Sequence, residues 1–227
     1  MNSWISVPLY HEKSLGVKEG GEKAAGSAKS FEIPSGFLLY LGNMDKKERL
    51  ISYIKEHSFL KSDRPIYKLS SGNMSNVYFD LKRTTYSPEG QYLIGNLVCD
   101  KISELGLKPK AIGGLTMGAD PIAVATAYTS YLRKEPIEAM VIRKEPKAHG
   151  TASQIEGNVK AGDAVIVIDD VVTTGGSTIK AIEAAGKAGL RIIAVIVLLD
   201  RNELNGKQNI EKLGYPTFSI LTKKDFD

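Results

Sequence analysis

The sequence predicts an α/β fold with a mainly parallel central sheet flanked by helices. From Ala111 onward, short apolar runs alternate with stretches of helical periodicity. Two of those runs, VIVI at 165–168 and IIAVIVLL at 192–199, are apolar throughout. A strand buried on both faces reads this way, whereas a half-exposed strand would alternate. The 227 residues suit one domain with a small elaboration.

The elements follow in order. The segment opening at Met44 places Leu50, Ile51, Ile54 and Leu60 at helical spacing. Residues 66–69 and 76–81 read as two short strands around a turn at Ser71, Gly72 and Asn73. A helix over 88–105 has proline in its first turn and carries Tyr92, Leu93, Leu97, Ile102 and Leu105. A strand at 111–114, a helix at 120–132 and a strand at 137–142 come next, then a polar loop over 143–158. The remainder reads strand 164–168, helix 177–188, strand 192–199, helix 203–213 and strand 217–221.

Composition narrows the function classes. Apolar residues form 42% and charged residues 25%, an ordinary soluble balance. The net charge of +4 is too mild and too scattered to point to nucleic acid. A single cysteine, Cys99, forbids an intramolecular disulfide and suits a reducing cytoplasm. No apolar run is long enough to span a bilayer, and no signal layout opens the chain. Residues 1–43 differ from the rest, 13–30 being rich in Gly, Ala, Ser, Lys and Glu. They are expected to be a weakly ordered extension, or the product of a misplaced start, with the folded domain over 44–227.

The segment 165–179, VIVIDDVVTTGGSTI, carries the chemistry. Ligands of parallel sheets bind beyond the carboxyl ends of the strands. Asp169 and Asp170 lie at such an end, and vicinal ribose hydroxyls are good partners for paired carboxylates. Thr173, Thr174, Gly175, Gly176 and Ser177 then open a helix, whose N–H groups and hydroxyls form a phosphate cradle. Alone, an acid pair is usually a cap and a Thr-Gly-Gly-Ser stretch is usually a turn. The full order of buried strand, acids, glycine turn and helix is far more specific, and it matches neither of the common nucleotide loops.

This stretch resembles the diphosphate-sugar signature of the type I phosphoribosyltransferases. The resemblance implies their fold, with a small N-terminal hood element near 60–85. It also implies that Asp169, Asp170, Val171, Val172, Thr173, Thr174, Gly175, Gly176 and Ser177 bind phosphoribosyl diphosphate. Residues 143–150, RKEPKAHG, look like the catalytic loop of the orotate phosphoribosyltransferases. Arg143, Lys144, Lys147 and His149 would then contact the diphosphate, Lys147 and His149 being the catalytic candidates. Flexible cations suit a leaving group that gathers charge, and a loop can close over it and exclude water. In that family the loop reaches the neighbouring subunit, which implies a homodimer.

Further segments resemble the same family. Residues 68–81, KLSSGNMSNVYFDL, are similar to its hood, where Tyr78 or Phe79 would pack on the base or simply fill the core. Residues 112–121 are similar to its diphosphate loop. Arg201 would bind the orotate carboxylate together with Thr173, a task suited to the guanidinium fork. Two lysines found in some members are absent, at Ser70 and at Met117-Gly118, and Lys68 is a candidate substitute. The resemblance covers about 67–226, with no fused decarboxylase expected.

The reaction implied joins orotate N1 to C1 of phosphoribosyl diphosphate, giving orotidine 5′-monophosphate and diphosphate for pyrimidine biosynthesis. Mg2+ would be bound mainly through substrate oxygens. Two alternatives remain open. A transferase for another nucleobase would keep the phosphate motif but lack the 143–150 loop and Arg201. A non-catalytic sensor of phosphoribosyl diphosphate would carry a nucleic-acid-binding module, for which residues 1–43 are too short and too lightly basic.

Overall fold

A helix with one apolar stripe opens the part of the chain that the computed structural model describes, residues 45–68, 72–145 and 153–227. The expected extension 1–43, Ser70, Lys147 and His149 lie outside the described residues. Helix α1 (Lys46–His57) buries Leu50 and Ile54. Leu60 does not continue this stripe. The helix stops at Ser58, whose N–H bonds Ile54 O, and Leu60 falls in strand β1 (Phe59–Lys61), 42% exposed.

Four short strands make the hood region. Besides β1 they are β2 (Tyr67–Lys68), β3 (Met74–Ser75) and β4 (Val77–Phe79). β1 pairs antiparallel with β4, and β2 pairs antiparallel with β3. The single strand expected over 76–81 is therefore divided differently. Asn76 breaks the run between β3 and β4, its carbonyl accepting from Ser62 N. After the short helix α2 (Lys82–Thr85), helix α3 (Pro88–Glu104) starts with Ser87 Oγ accepting from Gly90 N at 3.0 Å. Leu93, Ile94, Val98 and Ile102 face the core, while Tyr92 points outward.

The remaining chain builds a six-stranded sheet. Its elements are β5 (Ala111–Leu115), α4 (Asp120–Leu132), β6 (Glu138–Ile142), β7 (Ile155–Gly157), β8 (Ala164–Val172), α5 (Gly176–Lys187), β9 (Arg191–Asp200), α6 (Gly206–Glu211) and β10 (Thr217–Thr222), with a closing 3-10 turn over Lys223–Phe226. The strand order is β10-β9-β8-β5-β6-β7. All neighbours are parallel except β7, which lies antiparallel to β6.

Three expectations need correction. β7 sits inside the loop expected over 143–158, where Glu156 and Ile155 pair with Val141 and Ile142. Strand β8 runs four residues past Ile168 and takes both acids into the sheet, because Asp169, Val171 and Val172 still pair with β9. Helix α6 begins at Gly206 rather than Glu203, since Asn202, Leu204 and Asn205 adopt left-handed φ of 52°, 51° and 55°.

Side chains alternate across the central strands. Ile166, Ile168, Ala194, Ile196 and Leu198 join α1, α3 and α4 in one core cluster. Val165, Val167, Val195 and Val197 join α5 and α6 in the other. Each buried aliphatic side chain contributes about 1.5–3 kcal/mol. The direction of strand addition reverses between β5 and β8, with β6 on one side and β9 and β10 on the other. That reversal opens a crevice at the carboxyl ends of β5 and β8.

Candidate active site

The acid pair stands at this crevice, and the pleat sends its two carboxylates to opposite faces. Asp169 follows Val167 toward α5 and is 3% exposed. Its Oδ2 accepts from Ser177 Oγ at 2.7 Å and Thr178 Oγ1 at 2.6 Å, and its Oδ1 accepts from Asp170 N at 3.1 Å. Burial, then the neighbouring Asp170 charge, push its pKa up to about 6 against those hydrogen bonds. Asp170 is half-buried on the other face, with Oδ1 accepting from Val171 N at 2.9 Å. The equal roles expected for the two acids are thus not matched by their surroundings: Asp169 is bonded inward, and Asp170 faces the β5 loop.

That loop presses closely on Asp170. A Cβ on Gly118 would lie 2.7 Å from the Asp170 carboxyl carbon, so position 118 tolerates no side chain without displacing the acid. The lysine missing at Met117-Gly118 would face this same constraint. The neighbouring Met117 side chain is mostly exposed.

The turn after β8 completes the cradle. Gly175 holds φ at +83° as the residue before α5, a conformation that favours glycine. Gly176 N bonds Thr174 Oγ1 at 3.4 Å, and the first turn of α5 directs its N–H groups to the crevice side of the turn. The turn is braced from behind by α6. A Cβ on Gly206 would come within 2.6 Å of Thr173 O, and Asn209 Nδ2 donates to Thr174 O at 3.0 Å and Leu204 O at 3.4 Å.

Arg201 lies beside this turn, its N–H bonded to Val172 O at 3.0 Å. The side chain is 3% exposed and is no helix-start charge, since α6 begins five residues later. Its Nε donates to Glu203 Oε2 at 3.1 Å, and Nη2 reaches Glu203 Oε1 at 3.4 Å and Ser75 Oγ at 3.3 Å. Lys223 Nζ donates to the same Glu203 Oε1 at 2.7 Å. Burial alone would raise the Glu203 carboxyl, but the hydrogen bonds and charges of Lys223 and Arg201 outweigh it and hold it low. Phe79 is buried with Phe59 and Phe226, and the Arg201 guanidinium lies 5.7 Å from its ring. Tyr78 is the open aromatic, 37% exposed and stacked on Tyr67 at 5.8 Å.

Arg143 and Lys144 stand at the end of β6. Arg143 N bonds Gln154 O, while Gln154 Nε2 donates back to Arg143 O and Lys144 O. Arg143 Nη1 lies 3.6 Å from Glu156 Oε1. The structure therefore gathers Asp169, Asp170, Thr173–Ser177 and Arg201 at the ends of β8 and β9, with Arg143 and Lys144 at the carboxyl end of β6, across β5 from β8.

Residues 87–224 match the phosphoribosyl transferase domain family model, more than half of the chain. The orotate phosphoribosyltransferase of Aquifex aeolicus is 48% identical over 178 residues, covering 78% of this chain and 96% of that protein. The chain belongs to the orotate phosphoribosyltransferase family. The orotate phosphoribosyltransferase of Methanocaldococcus jannaschii is 36% identical over 182 residues, 80% of this chain and 97% of its own. Among solved structures, Mycobacterium tuberculosis orotate phosphoribosyltransferase in complex with 5-phospho-alpha-D-ribosyl 1-diphosphate has a TM-score of 0.65 at 30% identity. It covers 80% of this chain and 98% of that one.

Sequence reasoning missed several members of this orotate phosphoribosyltransferase site. Thr178 directly follows the phosphate motif and could have been found by asking what bonds the inward acid. Ser75 lies within the hood segment 68–81 but no role was read for it, and Glu203, Lys223 and Asn209 had no readable signal, because the tertiary fold brings them in from separate elements.

Proposed function

We propose that this chain transfers the ribose 5-phosphate of phosphoribosyl diphosphate to orotate N1, giving orotidine 5′-monophosphate and diphosphate. The observation that carries this reading is the adjacency of two sites on neighbouring strands. The acid pair and glycine turn end β8, and a buried arginine follows β9 one hydrogen bond away from Val172. Such an arrangement suits a sugar phosphate and an anionic base held side by side.

In this reading the α5 N-terminus, Thr173, Thr174, Gly175, Gly176 and Ser177 hold the 5-phosphate. Asp170 accepts hydrogen bonds from the ribose hydroxyls, and Asp169 fixes Ser177 from behind. Arg201 binds the orotate carboxylate, helped by Thr173. Arg143, Lys144, Lys147 and His149 meet the diphosphate, with Lys147 and His149 stabilising its departure as C1 becomes cationic. The base is a ready nucleophile, so alignment supplies much of the acceleration.

Among the described residues no group of three or more His, Cys, Asp or Glu side chains could hold a metal. The Asp170 carboxylate is a hard oxygen donor at the crevice, which fits an Mg2+ ion held mainly by substrate oxygens and water. When bound, that ion would neutralise diphosphate charge. A homodimer fits the exposed Tyr92, Tyr128, Tyr131 and Leu132 of α3 and α4, with residues 143–150 reaching the neighbouring site. No helix among the described residues is long and apolar enough to cross a membrane. A cytoplasmic location is consistent with the single buried Cys99.

Loss of orotate ultraviolet absorbance on mixing with phosphoribosyl diphosphate and Mg2+ tests the activity. Adenine, hypoxanthine and uracil serve as controls. Turnover of a control base with none of orotate would overturn it.

A further inference from the structure

Arg201 is not a free arginine. Glu203 occupies its Nε–Nη2 edge, Ser75 takes a second contact from Nη2, and among the described residues Nη1 donates to nothing. Glu203 is itself held from the far side by Lys223. Two cations thus share one carboxylate, and the trio stands beside a cavity of about 530 Å3 that Asp63 borders on another side. Ser75, Glu203 and Lys223 all line that cavity.

The backbone around Glu203 is strained in a way that serves this contact. Asn202, Leu204 and Asn205 all hold left-handed φ, and none is glycine. Asparagine tolerates that region, but leucine does not do so readily. The turn persists because it is tied at several points. Asn202 N bonds Asp200 Oδ1 at 2.8 Å, and Asn209 holds Leu204 O. These ties fold the chain back so that Glu203, two residues on, faces the guanidinium of Arg201.

We propose that Glu203 is a positioning residue for base recognition: by gripping one edge of Arg201 it presents Nη1 to the carboxylate of the substrate base. Lys223 keeps Glu203 in place and offsets its charge, so the anionic base meets attraction rather than repulsion. The inference rests on the assignment of Arg201 to the orotate carboxylate made above.

Steady-state kinetics of Glu203→Gln, Lys223→Met and Arg201→Ala test it, with orotate and phosphoribosyl diphosphate varied in turn. Glutamine keeps the shape but removes the charge that both cations share. Losing that grip should raise the orotate KM about 10-fold, the scale of one charge-assisted hydrogen bond. The phosphoribosyl diphosphate KM should stay within about twofold, since that cradle is braced separately by α6. Lys223→Met should give a smaller rise of the same selective kind; if Glu203→Gln fails to fold, Glu203→Asp, which keeps the charge but shortens the reach to Arg201, carries the test by the same selective rise in orotate KM. A purely electrostatic account predicts the opposite sign, because removing a negative charge would tighten binding of an anionic base. An unchanged or lower orotate KM in Glu203→Gln, or a parallel rise in both KM values, overturns the proposal. If Arg201→Ala leaves the orotate KM unmoved, the base assignment itself falls and the proposal with it. If Arg201→Ala raises it and Glu203→Gln does not, only the positioning role is refuted.

Discussion

Replacing Asp169 by Asn should make the folded protein gain stability, relative to the wild type, as pH rises from acid to neutral. The carboxyl is 3% exposed, and burial beside Asp170 lifts its pKa from 3.8 to about 6. A carboxyl so raised keeps its proton when folded at pH values where the unfolded chain has lost it. It therefore favours folding fully below about pH 4, and that advantage is lost as pH rises through about 6. The difference corresponds to about 3 kcal/mol. Asparagine stands in for the neutral acid, its carbonyl placed to accept from Ser177 and Thr178. Its amide cannot accept from Asp170 N as Oδ1 does, a loss independent of pH that offsets the whole curve without changing its slope. The stability of Asp169→Asn minus that of the wild type should thus climb by about 3 kcal/mol between about pH 4 and pH 8. Glu203 and Asp225 have lowered pKa values and act in the opposite sense, losing their contribution as pH falls. Both proteins share them, so they cancel in the difference. Urea unfolding followed by circular dichroism at several pH values gives the quantity directly. In melting experiments the same change is about 6–12 °C for a domain of this size. A difference that stays flat from acid to neutral pH would show that Asp169 is already ionised at no cost, and the reasoning from burial would fail.

Other perturbations probe different parts of the molecule. Lys147→Ala should lower kcat by about 100-fold while the orotate KM changes little, as expected for a group that meets charge on the leaving diphosphate; an unchanged kcat removes that role. Gly206→Ala places a methyl 2.6 Å from Thr173 O and 2.5 Å from Val172 Cγ1. It should cost about 1–3 kcal/mol and raise the phosphoribosyl diphosphate KM by shifting the phosphate turn, and a variant indistinguishable in both would refute the bracing role of α6. The Cys99 thiol, pushed up to about 11 mainly by burial, should resist a thiol-specific disulfide reagent in the native protein and react once urea unfolds it. Rapid labelling of the native state would contradict that burial.

Much of this fold follows from patterns that any single chain reveals. The apolar runs at 165–168 and 192–199 required a sheet covered on both faces, and β8 and β9 occupy its middle. The helix expected over 120–132 has those bounds, with Pro121 in its first turn and Ile122, Ala123, Ala125 and Thr126 buried. What escaped prediction depends on contacts distant in sequence. β7 is a three-residue edge strand that exists only because β6 offers it a partner. The end of β8 was placed at Ile168 because charges usually leave a sheet, yet Asp169 stays within it by bonding Ser177 and Thr178. The start of α6 was misplaced because three consecutive-looking helical residues, at 202, 204 and 205, take left-handed backbone. Within the site, the motif residues were legible because each sits on one continuous strand–turn–helix. Arg201 was legible from its place after a strand and from the family resemblance, but its partners come from three separate elements: Ser75 from β3, Glu203 from the turn before α6 and Lys223 from the closing 3-10 turn.

The continuation of β8 through its acids has a further consequence for how the sugar is held. Asp170 lies in a part of β8 that still pairs with β9 after its pairing with β5 has ended, so its backbone is fixed before any ligand arrives. Ordering a loop residue on binding would cost roughly 1–2 kcal/mol of backbone entropy. Four residues, Asp169–Val172, escape that cost because the sheet has already met it during folding. With Asp170 assigned to the ribose hydroxyls as proposed, affinity for the sugar is in this sense prepaid by the core, and damage to remote strand packing should surface as weaker sugar binding before the fold itself is lost.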